Sequence, residues 1–441
     1  MAEDEPSLHR EVQDDRECVA DRNRRWHRQS GDGRQQQRQP DVHDRDGPAG
    51  DQEPSFGPSQ HESSQRRRIG GQSCHLWCPS LGAPAHRESA GRRPLGFPPS
   101  VVPGPRSLSP AVLPRMLITR TPLRISIGGG GTDLPSFYRE CDGFVISAAI
   151  NKYMFIGLNR TFTDDYLIKY SQLERRRSVA DIEHRIVRAV FEAHDLEPGL
   201  EMVSLADIPS GTGLGSSGAF TVGLLRAVYA HKREHIAAEA LAEEAARIEI
   251  DVLGEPVGKQ DQYIAAHGGL TCFEFRADDS VAVSPLAVSQ ETVHDLEERL
   301  LLFFTGYSRS AGSILADQRT RSERGDAQML ENLRQTKQLG LRIREALEAG
   351  RPEDFGRMMD EHWQRKRARS SGMTNDDIDR WYATGVSNGA IGGKLVGAGT
   401  GGFLMFYAAD PPALRAAMSG HGLTETRFTF DHDGSTVIVR N

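Results

Sequence analysis

Pro209-Ser-Gly-Thr-Gly-Leu-Gly-Ser-Ser-Gly218, followed by AFTVGLLRAVYAHK, is the stretch whose reading decides the fold. Gly211, Gly213 and Gly215 let the backbone turn tightly and approach a ligand without Cβ clashes. The apolar run behind them predicts a helix over 215–231. The start of that helix offers unpaired N–H groups and a partial positive charge. A glycine loop feeding a helix N-terminus binds phosphate, and Ser216 and Ser217 add hydroxyls for phosphate oxygens or a metal. A Walker A loop would need Gly-x4-Gly-Lys-Ser/Thr, which is absent. The Gly-Leu-Gly-Ser-Ser-Gly read from Gly213 lacks the acidic residue, about 20 positions on after a second strand, that a dinucleotide site uses. A plain glycine turn capping a helix is the alternative reading.

Two more glycine segments flank this one. Upstream, Arg120-Thr-Pro-Leu-Arg-Ile-Ser-Ile-Gly-Gly-Gly-Gly-Thr-Asp133 reads as a strand running into a turn. Asp133 at its exit either accepts hydrogen bonds from sugar hydroxyls or caps the helix that LPSFYREC would form. Arg124 can pair a phosphate or fix that carboxylate. Downstream, Lys394-Leu-Val-Gly-Ala-Gly-Thr-Gly-Gly-Phe-Leu404 is a ligand loop or a strand–loop–strand packing device. In ARIEIDVLGEPVGKQDQY, Glu249 ends a helix twelve residues before Asp261. Phosphoryl transfer to a hydroxyl needs phosphate clamps, a magnesium ion, and a group that positions or deprotonates the acceptor. One carboxylate, one hydroxyl and ATP oxygens satisfy magnesium. Asp251 and Glu255 compete with Glu249 for the metal. Lys259 either bears on Asp261, touches phosphate, or is a surface lysine.

Pro-x-x-x-Gly-Leu-Gly-Ser-Ser resembles the second signature of the GHMP kinases, the family of galactokinase and of homoserine, mevalonate and phosphomevalonate kinases. The segments 120–133 and 394–404 resemble the first and third signatures, in family order across 116–441. The resemblance implies an α+β, two-lobed fold, with a ribosomal S5 domain 2-like N-terminal lobe and a ferredoxin-like C-terminal lobe. It implies ATP and Mg2+ as cofactors. Pro209, Gly211, Gly213, Leu214, Gly215, Ser216 and Ser217 would surround the ATP phosphates. Arg124, Gly131, Thr132, Asp133 and Gly399 would lie on the substrate side. Gly258-Lys-Gln-Asp-Gln262 resembles the family segment whose Asp acts as base, which assigns Asp261 as general base, with Glu249 and Ser217 on the metal. One departure is visible. Gly218 stands where the family pattern has Ala, a small-for-small change with a helix cost of about 1 kcal/mol.

LRISIGGGGTDLPSFY, VLGEPVGKQDQYIAAHGGL and FFTGYSRSAGSIL are similar to the bacterial D-glycero-D-manno-heptose 7-phosphate kinases. That likeness implies transfer of the ATP γ-phosphate to the anomeric hydroxyl of a phosphosugar, feeding GDP-heptose and surface-glycan synthesis. Galactokinases would show Gly-Glu-His-Thr-Asp where this chain has Gly129-Gly-Gly-Thr-Asp133. A fucokinase-like enzyme acting on a free sugar is the main rival. A catalytically silent sugar-binding homologue is a third reading, which the joint presence of Ser217, Glu249 and Asp261 opposes. Arg309, Lys366, Arg367 and Lys394 are candidates to hold the substrate phosphate. On a helix over 353–369, Lys366 shares a face with both His362 and Arg369.

The chain has 441 residues and a net charge of −7. Residues 1–115 hold 17 Arg, 16 Asp+Glu and no Lys, Thr or Tyr, with no sustained apolar period. Such a segment cannot bury enough apolar surface to offset chain entropy. It is expected to be a disordered extension or an over-extended reading frame preceding a start at Met116. Tryptic peptides from 1–115 in the native protein would exclude the latter. The body, 116–441, carries about −8 and is a poor nucleic-acid binder. It divides near residue 298 into an ATP-binding domain, 116–298, and a C-terminal domain, 299–441. Helices are expected at 178–195, 236–253, 325–349, 353–369 and 411–420, and strands at 143–159, 201–208, 269–275, 299–305, 403–408 and 434–439. Five scattered cysteines, no secretory leader and no run of 18 apolar residues point to a reducing cytoplasm and no membrane partner. A homodimer is compatible with the sequence.

A chain beginning at Met116 is expected to melt cooperatively and to phosphorylate at the full rate, because residues 1–115 offer no amphipathic element to pack on the body. Calorimetry and an ADP-release assay check this. A melting temperature several degrees lower, or lost turnover, contradicts the two-part reading.

Overall fold

The computed structural model describes residues 116–306, 312–369, 372–397, 399 and 401–440, all within one compact unit. The extension 1–115 and Arg309 lie outside the described residues. The chain opens with β1 (Leu117–Gly128), α1 (Pro135–Cys141), β2 (Gly143–Arg160), β3 (Tyr166–Lys169), β4 (Leu173–Arg176), α2 (Arg185–Ala193), β5 (Leu200–Ala206) and α3 (Ser216–Lys232). It continues through α4 (Ala238–Arg247), α5 (Gln260–His267), β6 (Leu270–Phe275), β7 (Val281–Pro285), α6 (Gln290–Arg299) and β8 (Leu300–Phe304). Then come α7 (Gly312–Glu323), α8 (Ala327–Glu348), α9 (Pro352–Arg367), α10 (Asp376–Ser387), β9 (Ala390–Leu395), β10 (Phe403–Ala408), α11 (Pro411–Gly420), β11 (Thr424–Glu425) and β12 (Thr436–Arg440).

The strands form two sheets. The first has the order β12-β1-β2-β5-β3-β4, with β6 pairing β2 and β7 pairing β6. Its organiser is β2, whose first half pairs with β6 (Gly143↔Phe275 to Ala148↔Leu270) and second half with β5 (Met154↔Ala206 to Arg160↔Leu200). The second sheet, β11-β8-β10-β9, is antiparallel throughout. The last strand, β12, leaves the second sheet's neighbourhood and pairs with β1, Leu117 opposite Arg440.

Helix α3 is apolar on nearly every side, and Phe220, Val222, Leu224, Leu225 and Val228 are all buried. A helix with no polar face belongs in the core. It lies on β1, where the Thr119 hydroxyl donates to Gly223 O at 3.0 Å. The sheet therefore fixes where its N-terminus points. Helices α8 and α9 connect the lobes: α8 packs on β1 and β2, and α9 on β9.

Several sequence expectations are refined. The helix expected over 178–195 is a short 3-10 turn at Val179–Asp181 and then α2. The Glu174 carboxylate accepts from Glu183 N (2.7 Å) and His184 N (3.1 Å), which separates the two. The helix expected over 236–253 is α4 followed by a wider π turn at Ile248–Val252, which carries Glu249. Ala390–Leu395 within the third glycine segment is a strand. Among the described residues, no helix is long and apolar enough to cross a membrane.

Candidate active site

Between the sheets lies a cleft of about 660 Å³. One wall is the glycine loop: Ser210, Gly211, Gly213, Gly215, Ser216 and Ser217. Gly215 sits at the N-cap of α3 with φ 77°, a conformation that favours glycine. Backbone contacts hold this loop. Arg124 N donates to Leu214 O at 3.0 Å, and the Thr212 hydroxyl donates to Pro209 O at 3.0 Å. The third glycine segment presses against its far side. A Cβ on Gly213 would lie 2.5 Å from Val396 O, and one on Gly402 would lie 2.0 Å from Thr212 O. Pro209 and Leu214 thus support the loop, while the glycines and serines face the cleft.

The Arg124 guanidinium links the loop to the carboxylate behind it. Nε donates to Asp261 Oδ1 at 2.8 Å, and another nitrogen donates to Gly213 O at 2.5 Å. Asp261 itself is part-exposed into the cleft, its side chain 30% accessible. The Ser217 hydroxyl donates to Glu249, whose other oxygen accepts from Gln262 Nε2 at 2.9 Å. Glu249 is buried, and that burial raises its pKa above the usual carboxylate value. Glu249 and Ser217 therefore present oxygen donors at the start of α3. Among the described residues no group of three or more His, Cys, Asp or Glu is arranged to hold a metal. The competing Glu255 instead pairs with Arg185, and both it and Asp251 line a separate, smaller pocket.

The opposite wall is built from the first glycine segment and the C-terminal half. Asp133 accepts from Gly131 N at 3.0 Å and from Gln260 N at 3.2 Å. Burial, then the nearby Asp261 carboxylate, raises its pKa. It does not cap α1: Leu134 holds that position, with no side-chain cap. Thr132 is fully buried, its hydroxyl donating to Gly129 O and Phe144 O at 2.9 Å each, so it shapes the turn. Gly399 lies beside Met373 and Ile314, and the described cleft lining does not include it.

Four basic side chains line this wall: His362 and Lys366 of α9, Arg369 just past its end, and Lys394 of β9. Lys366 Nζ donates to Leu395 O at 2.9 Å and to Gly397 O. Lys394 Nζ donates to Ile127 O at 2.7 Å and meets His362 Nδ1 at 3.2 Å. Arg369 donates to Asn332 Oδ1 at 2.9 Å and Thr336 Oγ1 at 2.8 Å. Burial, then neighbouring cations, holds Lys366 and His362 well below their usual values. Burial and then Arg124 bring Lys394 down to about 7, and burial brings Arg369 down to about 10. Arg367, one residue along the helix from Lys366, turns away to Asp379 at 2.9 Å. Lys259 is buried as well, but its Nζ meets both Glu243 oxygens at 3.0 Å and not Asp261.

Sequence reasoning missed an apolar patch of Met154, His184, Ile186 and Phe220 beside the glycine loop, where the His184 ring stacks on Phe220 at 4.8 Å between centroids. These residues come from three elements, β2, α2 with its N-cap, and α3, so no local pattern marks them. It also missed Gln318 on α7.

Residues 181–269 match the GHMP kinases N terminal domain and residues 343–422 the GHMP kinases C terminal domain. The D-glycero-alpha-D-manno-heptose 7-phosphate kinase of Campylobacter jejuni is 31% identical over 308 residues, 66% of this chain and 89% of that protein. The L-fucokinase/L-fucose-1-P guanylyltransferase of Bacteroides fragilis is 27% identical over 335 residues, 67% of this chain and 35% of that longer protein. The crystal structure of a D-glycero-D-manno-heptose 1-phosphate kinase from Bacteroides thetaiotaomicron superposes with a TM-score of 0.59 at 25% identity. It covers 73% of this chain and 98% of that one.

Gly218 proves to be more than a small-for-small change. A Cβ there would lie 2.7 Å from Asp261 Cβ, 2.9 Å from Asp261 C and 3.0 Å from Gln262 N. The second residue after Ser216 is thus where α3 and the start of α5 touch. Gly218→Ala is expected to push Asp261 away. Overpacking of this kind costs about 1–3 kcal/mol of stability, and if Asp261 takes part in the reaction its displacement lowers kcat on the order of tenfold to a hundredfold. Steady-state kinetics should show that loss with KM for ATP nearly unchanged. A variant with wild-type kcat would mean that the contact is slack.

Proposed function

Because the chain belongs to the GHMP kinases, ATP-dependent phosphotransferases acting on hydroxyl groups, we propose that its acceptor is a sugar phosphate, D-glycero-D-manno-heptose 7-phosphate, phosphorylated on the anomeric hydroxyl. The product would be the 1,7-bisphosphate, made in the cytoplasm for GDP-heptose and surface-glycan synthesis. One observation carries the choice of a phosphorylated substrate. Lys366, Arg369 and Lys394 are buried at the cleft, and their hydrogen bonds go to carbonyls, an amide, a hydroxyl and an imidazole. Among the described residues none of the three has a carboxylate partner within ion-pair distance. Burial without a carboxylate partner disfavours the charged form of a basic group, which is why the pKa values of all three fall. A phosphate dianion supplies the missing charge through charge-assisted hydrogen bonds.

In this reading the glycine loop, 209–217, wraps the ATP phosphates, and the base lies against Met154, His184, Ile186 and Phe220. Arg124 orients the Asp261 carboxylate, which accepts the proton of the attacking hydroxyl. Asp133 and Gly131 receive the sugar. Ser217 and Glu249 fit Mg2+: both offer hard oxygens, and the Glu249 carboxylate is desolvated. The ion would neutralise charge developing on the transferred phosphoryl group. We assign 116–298 as the nucleotide-binding domain and 299–441 as the C-terminal domain.

A free-sugar kinase of the fucokinase kind is the second reading. Its support is Lys366, which donates to Gly397 O, directly behind Gly213 of the loop; there the cations would serve the ATP γ-phosphate. Equal concentrations of heptose 7-phosphate, free heptose and free fucose separate the two. The phosphosugar should be favoured in kcat/KM by orders of magnitude, with inorganic phosphate or sulfate competing. A free sugar used as well as the phosphosugar would reject the first reading. Asp261→Asn should lower kcat about 10²–10⁴-fold while nucleotide affinity persists, and a kcat within twofold of wild type would remove Asp261 from the role of base.

Lys394 loses its charge as pH rises through about 7. The kcat/KM for the phosphosugar should therefore fall above that pH, and Lys394→Arg, charged throughout, should flatten the decline in a pH–rate profile. Between 7 and the usual 10.5 the unfolded chain binds a proton that the folded one does not. Stability of the free protein consequently rises over the interval in which anion affinity falls.

A further inference from the structure

Helix α7 presents Leu315 and Gln318, one turn apart, to the cleft. Gln318 is 2% exposed. Its neighbours on the helix are ordinary: Arg319 pairs with Glu323, and Arg321 with Asp326. Among the described residues, however, the Gln318 amide has no hydrogen-bond partner. Neither of its amide atoms is sealed off from the cleft, so a ligand entering there can both donate to and accept from it.

The surroundings indicate the chemistry of that ligand. A Cβ on Gly131 would lie 3.7 Å from Gln318 Oε1 and 2.7 Å from a terminal nitrogen of Arg369. Amide, guanidinium and glycine backbone thus meet at one spot on the wall that also holds Asp133. Asp133 and Arg369 are single-purpose groups, one an acceptor and one a donor. An amide is both, and so is a sugar hydroxyl. A phosphate oxygen only accepts and would leave Oε1 unpaired.

We propose that Gln318 reads a ring hydroxyl of the acceptor sugar and sets specificity for that hydroxyl. The proposal rests on the reading of the chain as a sugar kinase. A site built around such a hydrogen bond discriminates strongly against an analogue that lacks the hydroxyl, because the buried amide is then left unpaired in the complex.

The test separates this role from a structural one through stability. Wild-type protein is first assayed by ADP release on heptose 7-phosphate, L-fucose and D-galactose, and the sugar it turns over best is used thereafter. Gln318→Leu and Gln318→Met, both near-isosteric and apolar, are then compared with it. Each should raise KM for that sugar on the order of tenfold to a hundredfold and leave KM for ATP unchanged. Each should melt no lower than wild type, since the amide makes no hydrogen bond to the described residues that the change would break. A sugar KM within threefold of wild type in both variants overturns the proposal. So does a melting temperature several degrees lower in both, which would assign Gln318 to the fold. If the wild type prefers a free sugar, the phosphosugar reading fails and the hydroxyl-reading role is judged on that sugar. If it turns over none of the three, both readings fall.

Discussion

Backbone-on-backbone contact between two glycine segments is the constraint on which the active site depends. The loop at 209–215 and the turn at 396–402 approach so closely that a side chain on Gly213, Gly397 or Gly402 would overlap the facing main chain. One segment leads into a helix resting on the first sheet, and the other joins β9 to β10 of the second. The contact is therefore also where the lobes register against each other. It places the basic wall of β9 and the end of α9 across from the start of α3, and the cleft between them follows from it.

Charge in that cleft is deliberately unbalanced. On the glycine-loop side, carboxylates have protein partners: Asp261 has Arg124, and Glu249 has Ser217 and Gln262. On the facing wall, the basic groups have only neutral partners among the described residues. A protein selected for stability alone would have paired or removed those charges. Here the deficit lies at the cleft, where an incoming anion would cancel it.

What the sequence made legible was whatever local chemistry forces. Glycine runs have few uses, so the three segments could be found directly, and an all-apolar helix such as α3 announces burial. The shared face of His362 and Lys366 followed from helical period and does line the cleft, whereas Arg369, expected on the same helix, reaches it from the turn after α9 ends at Arg367. Period alone could not separate Arg367, about 100° further round, from Lys366. Lys259 misled because sequence adjacency to Asp261 says nothing of direction: α5 begins there and turns the lysine toward Glu243. Strands β3 (YLIK) and β4 (LERR) span four residues each, too few to show alternation. Gln318 looks like any polar helical residue, and only its burial beside Gly131 distinguishes it.

Strand β12 bears on how this chain must be made. The first sheet is started by residues 117–128, yet its edge beside them is closed by 436–440. A ribosome emitting the chain from its N-terminus completes nearly everything else before that edge can be covered. Until then β1 presents an open row of backbone donors and acceptors, the kind of template that invites pairing with a neighbouring chain. Because Leu117 ends up opposite Arg440, the two ends of the kinase body are also neighbours in the finished fold. Joining them by a short linker and opening the chain in a surface turn elsewhere would let the sheet close early in synthesis, without altering a single residue of the cleft.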